Sequence, residues 1–366
     1  MREAPLRLLM TVDAVGGVWQ YATELARALY PSGIETLLAV LGPSPTDEQR
    51  KVVEQMPGVD LVDTDLPLDW LSDAASTRLA AADIAAIARR ERVDLVHLNS
   101  PALAAGQGYA VPVVGVVHGC LATWWDAARA GQPLEPAFQW HRDMMVQGLR
   151  SCDRVIAPSA SFAETVRRVF TLTAMPQVVH NGRALQQTIG TGVPARSALT
   201  AGRLWDEVKN LRTLDAVAAQ LSAPFHAAGD TRAPHGELAQ ARHLKLLGQL
   251  EGATLATCLA QRPVFVSAAT FEPFGLAVLE AACARCPLVL SDIPTFRELW
   301  NDAAIFVDAH DADGFAREIE TILQNPVRRE ALGQAAYERA QRYTPDRMAG
   351  AMARHYRDVL AERLAA

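Results

Sequence analysis

Two pairs of charged residues carry the strongest chemical signal in this 366-residue chain: Arg203 with Lys209, and Glu272 with Glu280. A guanidinium forks onto paired phosphate oxygens and an ammonium adds a mobile point charge, so Arg203 and Lys209 suit a phosphate. Two carboxylates, one at a strand end and the other about two turns into the following helix, suit the hydroxyls of a polyol. His118 adds an imidazole, the side chain that most readily changes its proton count near neutral pH.

Local sequence places these groups at strand-to-helix turns. Pro263-Val264-Phe265-Val266-Ser267 is an apolar run that predicts a buried strand, and Leu276 to Cys286 has helical periodicity, so Glu272-Pro273-Phe274-Gly275 is the turn that joins them. Gly275 lets main chain approach a ligand closely. Both carboxylates could equally be solvated acids favoured by a helix start. Ser197 to Ala201 predicts a second such strand, after which Gly202-Arg203-Leu204 and a helix opening over Trp205–Asn210 follow. A lysine at that positive helix end is unfavourable unless an anion accompanies it. Leu6 to Val12 leads into Asp13-Ala14-Val15-Gly16-Gly17 and then a helical pattern. This turn lacks the third glycine of a dinucleotide fingerprint, which points to a phosphate or sugar near the Gly16 and Gly17 amides instead of a nicotinamide. The apolar run Val111 to Val117 ends in His118-Gly119, placing the imidazole where open α/β sheets bind ligands, although a lone histidine is also a common structural residue. Trp124 and Trp125 fall in the connection after it, either lining an acceptor site or anchoring packing.

Repeated strand-then-helix patterning predicts an α/β fold with doubly wound parallel sheets, and the length suits two domains. The pattern divides the chain into a first domain over 1–182, a linker over 183–196, a second domain over 197–344 and a terminal helix over 345–366. A net charge of −6 supplies no basic field for nucleic acid. No apolar run is long enough for a transmembrane helix, and the N-terminus has no leader pattern, so the expectation is a cytoplasmic protein, with peripheral membrane contact left open. Five scattered cysteines read as reduced core thiols, and Cys283-x-x-Cys286 has neither a second such pair nor an adjacent histidine to make a zinc site. His226, His235 and His243 are spaced too irregularly for one.

Taken together, Gly16-Gly17, His118, Gly202-Arg203-Leu204 with Lys209, and Glu272-Pro273-Phe274-Gly275-Leu276 with Glu280 resemble, in order and spacing, a family 4 (group 1) retaining glycosyltransferase of the GT-B fold. Arg297-Glu298-Leu299-Trp300 and the terminal helices are also similar to that family. The resemblance implies twin Rossmann-like domains facing across a cleft, with a nucleotide-sugar donor held mainly by the second and a glycan, lipid-linked or small-molecule acceptor by the first. It implies that Arg203 and Lys209 neutralise the donor diphosphate, that Glu280 accepts hydrogen bonds from the ribose, and that Glu272 with the Phe274, Gly275 and Leu276 main chain holds the sugar. Gly16 and Gly17 would approach the phosphate and His118 the sugar hydroxymethyl group, while the base would lie against Leu247, Gly248, Gln249 and Leu250. The terminal helix would cross back to the first domain.

Asp63-Thr64-Asp65 and Asp311-Ala312-Asp313 resemble the acidic metal-binding triplets of another glycosyltransferase fold, but acids are common at helix starts, and two cations already serve the diphosphate. The expectation is therefore transfer with no metal and no cofactor, by the diphosphate-assisted route, in which neither glutamate attacks the sugar. A sugar-nucleotide epimerase, a phosphorylase and a degenerate binding protein are the alternatives; four intact charged residues argue against the last. Arg285 departs from the family, where glycine is usual, and predicts a costly left-handed helix exit or a different one.

Overall fold

The structure is a computed structural model that describes residues 5–184, 192, 194–233 and 236–365. Two compact units divide the chain: Met1–Gly182 with Pro345–Ala366, and Arg183–Thr344. The first contains β1 (Leu6–Asp13), α1 (Gly17–Leu29), β2 (Ile34–Leu41), α2 (Asp47–Glu54), β3 (Val59–Leu66), α3 (Ala74–Arg90), β4 (Leu95–Leu98), β5 (Val113–Val116), α4 (Leu121–Ala128), α5 (Gln139–Ser151), β6 (Arg154–Ala157), α6 (Ala160–Val169) and β7 (Gln177–Val178). The second contains β8 (Ala198–Ala201), α7 (Leu211–Ala218), β9 (Phe225–Ala228), β10 (Lys245–Gly248), α8 (Gly252–Ala260), β11 (Val264–Ser267), α9 (Leu276–Cys283), β12 (Leu288–Ser291), α10 (Pro294–Trp300), β13 (Ile305–Val307), α11 (Ala312–Gln324) and α12 (Pro326–Ala340). Helix α13 (Pro345–Ala365) closes the chain and belongs to the first unit.

Each unit is one parallel sheet covered by helices. The strand orders are β3-β2-β1-β4-β5-β6-β7 and β10-β9-β8-β11-β12-β13. Strands covered on both faces must be apolar on both, as β1 is: Leu8, Leu9, Met10 and Val12 are all buried. Both orders reverse direction once, between β1 and β4 and between β8 and β11, and crevices outside such switch points are where these sheets take ligands.

The terminal helix owes its position to a stripe of large side chains at helical spacing. Met348, Met352, Tyr356 and Val359 are buried in the core that α1 and β1 also build. Arg183 begins the second unit, its amide donating to the Tyr343 carbonyl; the expected linker residues 185–191 and 193 lie outside the described residues, as does His235.

Arg285 does take the left-handed exit, with φ of 60°. The Arg285 amide donates to the Ala282 carbonyl and the Cys286 amide to that of Ala281, the paired bonds of a Schellman termination. Its guanidinium lies 4.7 Å from the Tyr337 ring centroid, a cation–π contact that offsets part of the backbone cost. Cys283 and Cys286 are buried, and burial pushes the Cys283 thiol up to about 12, so this pair is core.

Candidate active site

The second unit gathers the charged pairs at its switch point. The chain after β8 does not open directly into a helix, as the sequence pattern suggests. It makes one 3-10 turn over Glu207–Lys209, and Asn210 with φ of 58° separates that turn from α7. The reason is in the Asn210 side chain, whose amide donates to the carbonyls of Ala268 and Ala309 at 3.1 and 2.7 Å. Those bonds pin three strand-end loops together and aim Lys209 across the switch point. Lys209 Nζ meets Glu272 Oε2 at 2.6 Å, so the anion that a lysine here requires is a residue of the protein itself. Arg203 is 59% exposed, and its guanidinium is steered by buried Asp206 at 3.2 Å and by the Trp205 ring at 5.5 Å.

After β11 the turn to α9 is capped by Gly275 with φ of 91°. An added Cβ there would meet the Phe296 ring at 3.1 Å, so glycine serves both conformation and space. Phe274 is a buried anchor packed edge-on against Tyr343 at 5.7 Å, which leaves main chain as the ligand-facing part of this turn. A recess brings together Gly202, Lys209, Glu272 and Gly275. Glu280 lies on α9, 9% exposed in its side chain, with Oε1 accepting from Arg183 Nε at 2.8 Å. Leu247, Gly248, Gln249 and Leu250 stand at the carboxyl end of edge strand β10, where Leu247 is exposed and Gly248 takes φ of 70°.

Asp206, Asn210 and Gly229 shape this site without standing out in the sequence; the usable signals were an acid three residues after Arg203 and glycines ending adjacent strands. Gly229, with φ of 138°, follows β9, and an added Cβ would stand 1.7 Å from the Gly202 carbonyl oxygen. Gly229→Ala is expected to push the ends of β8 and β9 apart, destabilise the protein by roughly 2 kcal/mol and weaken nucleotide binding. Thermal unfolding and nucleotide titration check this, and a variant matching the wild type in both would refute the close approach.

In the first unit, Gly16 and Gly17 open α1 at the exposed end of β1, and an added Cβ at Gly16 would meet nothing within 4 Å. His118 lies just past β5, its Nε2 2.8 Å from Asn99 Oδ1. The same oxygen lies 3.0 Å from His97 Nε2. Asn99 straddles the β1/β4 switch point, its amide group donating to the Thr11 carbonyl at 2.6 Å and its backbone N–H to Thr11 Oγ1 at 2.9 Å. Burial pushes the His97 imidazole down to about 4. Burial, with the neighbouring His97 charge opposing a second proton, pushes His118 down to about 3. Both rings are therefore neutral near pH 7, and His118 offers a hydrogen bond, not a charge. Tyr21 packs edge-on against it at 4.3 Å.

Trp124 and Trp125 are on α4, not in an irregular connection. Trp125 is buried beside Phe138 and the Arg129 guanidinium lies over both indoles. The acidic triplets have local structural partners: Asp63 pairs with Arg50 at 2.6 Å, and Asp311 caps α11 by accepting from the Gly314 amide at 2.8 Å.

Residues 15–187 match the family described as Glycosyltransferase Family 4, and residues 197–339 match Glycosyl transferases group 1. Glycogen synthase of Mycobacterium tuberculosis is 28% identical over 279 residues, 69% of this chain and 65% of its own length, so the chain spans just under two thirds of that relative. Phosphatidyl-myo-inositol mannosyltransferase of Mycolicibacterium smegmatis is 32% identical over 161 residues, 40% of this chain and 41% of that protein. Among solved structures, sucrose-phosphate synthase from Thermosynechococcus elongatus superposes with a TM-score of 0.82 at 19% identity, covering 98% of this chain and 100% of the other. Anabaena HepE in complex with UDP-glucose gives 0.72 at 18% identity, covering 98% and 99%. At such identities the likeness of the solved structures is one of fold.

Proposed function

This chain belongs to the group 1, family 4 glycosyltransferases and has their GT-B fold, and from that premise we propose that it transfers a hexosyl group from a nucleotide diphosphate sugar to a carbohydrate, lipid-linked or small-molecule acceptor, with retention and without a divalent metal. The observation that carries the reading is the Lys209–Glu272 pair at 2.6 Å on the β8/β11 switch point, with Arg203 on the same strand-end turn as Lys209. A cation held ready by a carboxylate can exchange it for a diphosphate, and the released carboxylate then accepts hydrogen bonds from sugar hydroxyls.

The chemistry follows from where charge develops. Breaking the anomeric C–O bond sends its electron pair to the diphosphate and leaves positive character on the ring, so preorganised cations and helix-start amides stabilise the leaving group. Arg203, Lys209 and the first amides of α9 take that role. The acceptor hydroxyl attacks from the face the diphosphate leaves, and its proton passes to a phosphate oxygen. Glu280 holds the ribose. Leu247, Gly248, Gln249 and Leu250 supply the base-facing edge, and neutral His118 accepts from a substrate hydroxyl. Among the described residues no helix is long and apolar enough to cross a membrane.

The donor is the first point to test. A panel of UDP-, GDP- and ADP-sugars, followed by thermal unfolding, is expected to raise Tm by several degrees in one nucleotide series, since a ligand bound to the folded state at 100 times its Kd adds about 2.7 kcal/mol. UDP-glucose and GDP-mannose come first, given the complex solved for HepE and the mannosyltransferase relatives. Absence of any shift at millimolar sugar nucleotide, with no transfer in the presence of chelator, would overturn the proposal.

A further inference from the structure

The first unit holds a buried chain of hydrogen bonds that runs from the terminal helix to His118. Tyr356 on α13 is fully buried, and its hydroxyl lies 2.6 Å from His97 Nδ1. His97 Nε2 and His118 Nε2 then converge on one oxygen, Asn99 Oδ1, at 3.0 and 2.8 Å. The direction of every bond can be assigned. The Thr11 carbonyl can only accept, so the group of Asn99 lying 2.6 Å from it is the NH2, and Oδ1 is the atom that faces the two rings. An amide oxygen can only accept, so both histidines carry their proton on Nε2. His97 Nδ1 is then bare and must accept from the Tyr356 hydroxyl. His118 Nδ1 is bare as well, an acceptor for a hydroxyl.

Resting on the reading of His118 as a substrate-contacting residue, we propose that Tyr356 is a positioning residue: it sets the His97 tautomer and, through the Asn99 oxygen that both rings share, the orientation in which His118 presents Nδ1 to a substrate hydroxyl. The helix that ends the chain is thereby a working part of the active site. With its hydroxyl removed, His97 Nδ1 loses its donor, His97 is free to move its proton to Nδ1, and Asn99 Oδ1 loses one of its two donors. Asn99 Oδ1 still requires the Nε2–H of His118, so the His118 tautomer persists, but the ring is no longer held in a single orientation.

Tyr356→Phe keeps the ring and its packing and removes only the hydroxyl. In the purified full chain, kcat for transfer is expected to fall roughly tenfold, the scale of one well-placed hydrogen bond, with donor KM little changed. Imidazole 15N shifts of His97 are expected to move from a pure Nε2–H pattern in the wild type to a mixture in the variant, while His118 keeps its Nε2–H pattern. His118→Ala is expected to be impaired, and Tyr356→Phe combined with it to be no worse than His118→Ala alone, because residues acting through one another are not additive. Full additivity, or an unchanged kcat and unchanged His97 shifts in Tyr356→Phe, would overturn the positioning role. Normal activity in His118→Ala would instead remove the role assigned to His118, leaving the His97 15N shifts to decide whether Tyr356 sets the His97 tautomer.

Discussion

Lys209→Ala is expected to lower kcat/KM for transfer roughly 10³-fold, the cost usual for removing a preorganised group that meets developing charge in a water-poor site. Lys209 sits at the β8/β11 switch point with a side chain 19% exposed, and its ammonium is held 2.6 Å from Glu272 Oε2. In the transition state it would face a leaving diphosphate whose charge has grown. Alanine removes that counter-charge and leaves the Glu272 carboxylate, 18% exposed, as a like charge beside the phosphates. Folding survives because the turn is pinned by other groups: Asn210 holds the Ala268 and Ala309 carbonyls, and the Thr270 amide donates to the Val208 carbonyl. Glu272→Gln, which removes the repulsion, should recover part of the loss in a Lys209→Ala background and reduce activity in the wild type. Steady-state kinetics beside circular dichroism decide it. Turnover within tenfold of wild type in a folded Lys209→Ala protein would end the leaving-group role of this lysine.

Acidification is expected to unfold the first unit more readily well before carboxylates titrate. Burial holds the His97 imidazole at about 4 in the folded chain, whereas an exposed histidine takes up its proton near 6.5. Between those values the unfolded state binds more protons, so stability is fully present above about pH 6.5 and falls as the pH drops toward 4. His97 alone should cost about 2 kcal/mol between pH 7.5 and pH 5, and His118, lowered to about 3 by burial and by His97, acts in the same direction. His97→Gln can still donate toward Asn99 and accept from Tyr356, so its unfolding midpoint should depend less on pH over that range. An identical pH dependence in the two proteins, or a His97 resonance titrating above pH 6 in the folded wild type, would refute this account.

The charged pairs were legible because their neighbours are unambiguous: an apolar run such as Val264–Ser267 forms a buried strand, and a helical pattern beginning at Leu276 places the turn at Glu272 to Gly275. The helix start after Arg203 was misplaced for an equally physical reason. Trp205 to Asn210 has acceptable local propensity for a helix, but Asn210 gains more from bonding carbonyls 58 and 99 residues away than from a helical conformation. A local pattern contains no record of such partners. Likewise Trp124 and Trp125 read as connection residues because the glycines at Gly119 and Gly131 bracket too short a segment for periodicity to show, whereas the structure has them on α4 with Trp125 packed beside Phe138.

By itself the sequence determined the class of fold, the order of the strands, and the charged groups that a diphosphate sugar would require, since all of these depend on patterns within a few residues. Only the tertiary structure decided who partners whom. It paired Lys209 with Glu272 and Glu280 with Arg183, and it carried Tyr356, far along the chain, to His97 beside the β1/β4 switch point. The physical reason is that a buried polar atom takes whichever partner packing brings within reach, and packing is settled by the whole sheet and its helices, not by the residues on either side.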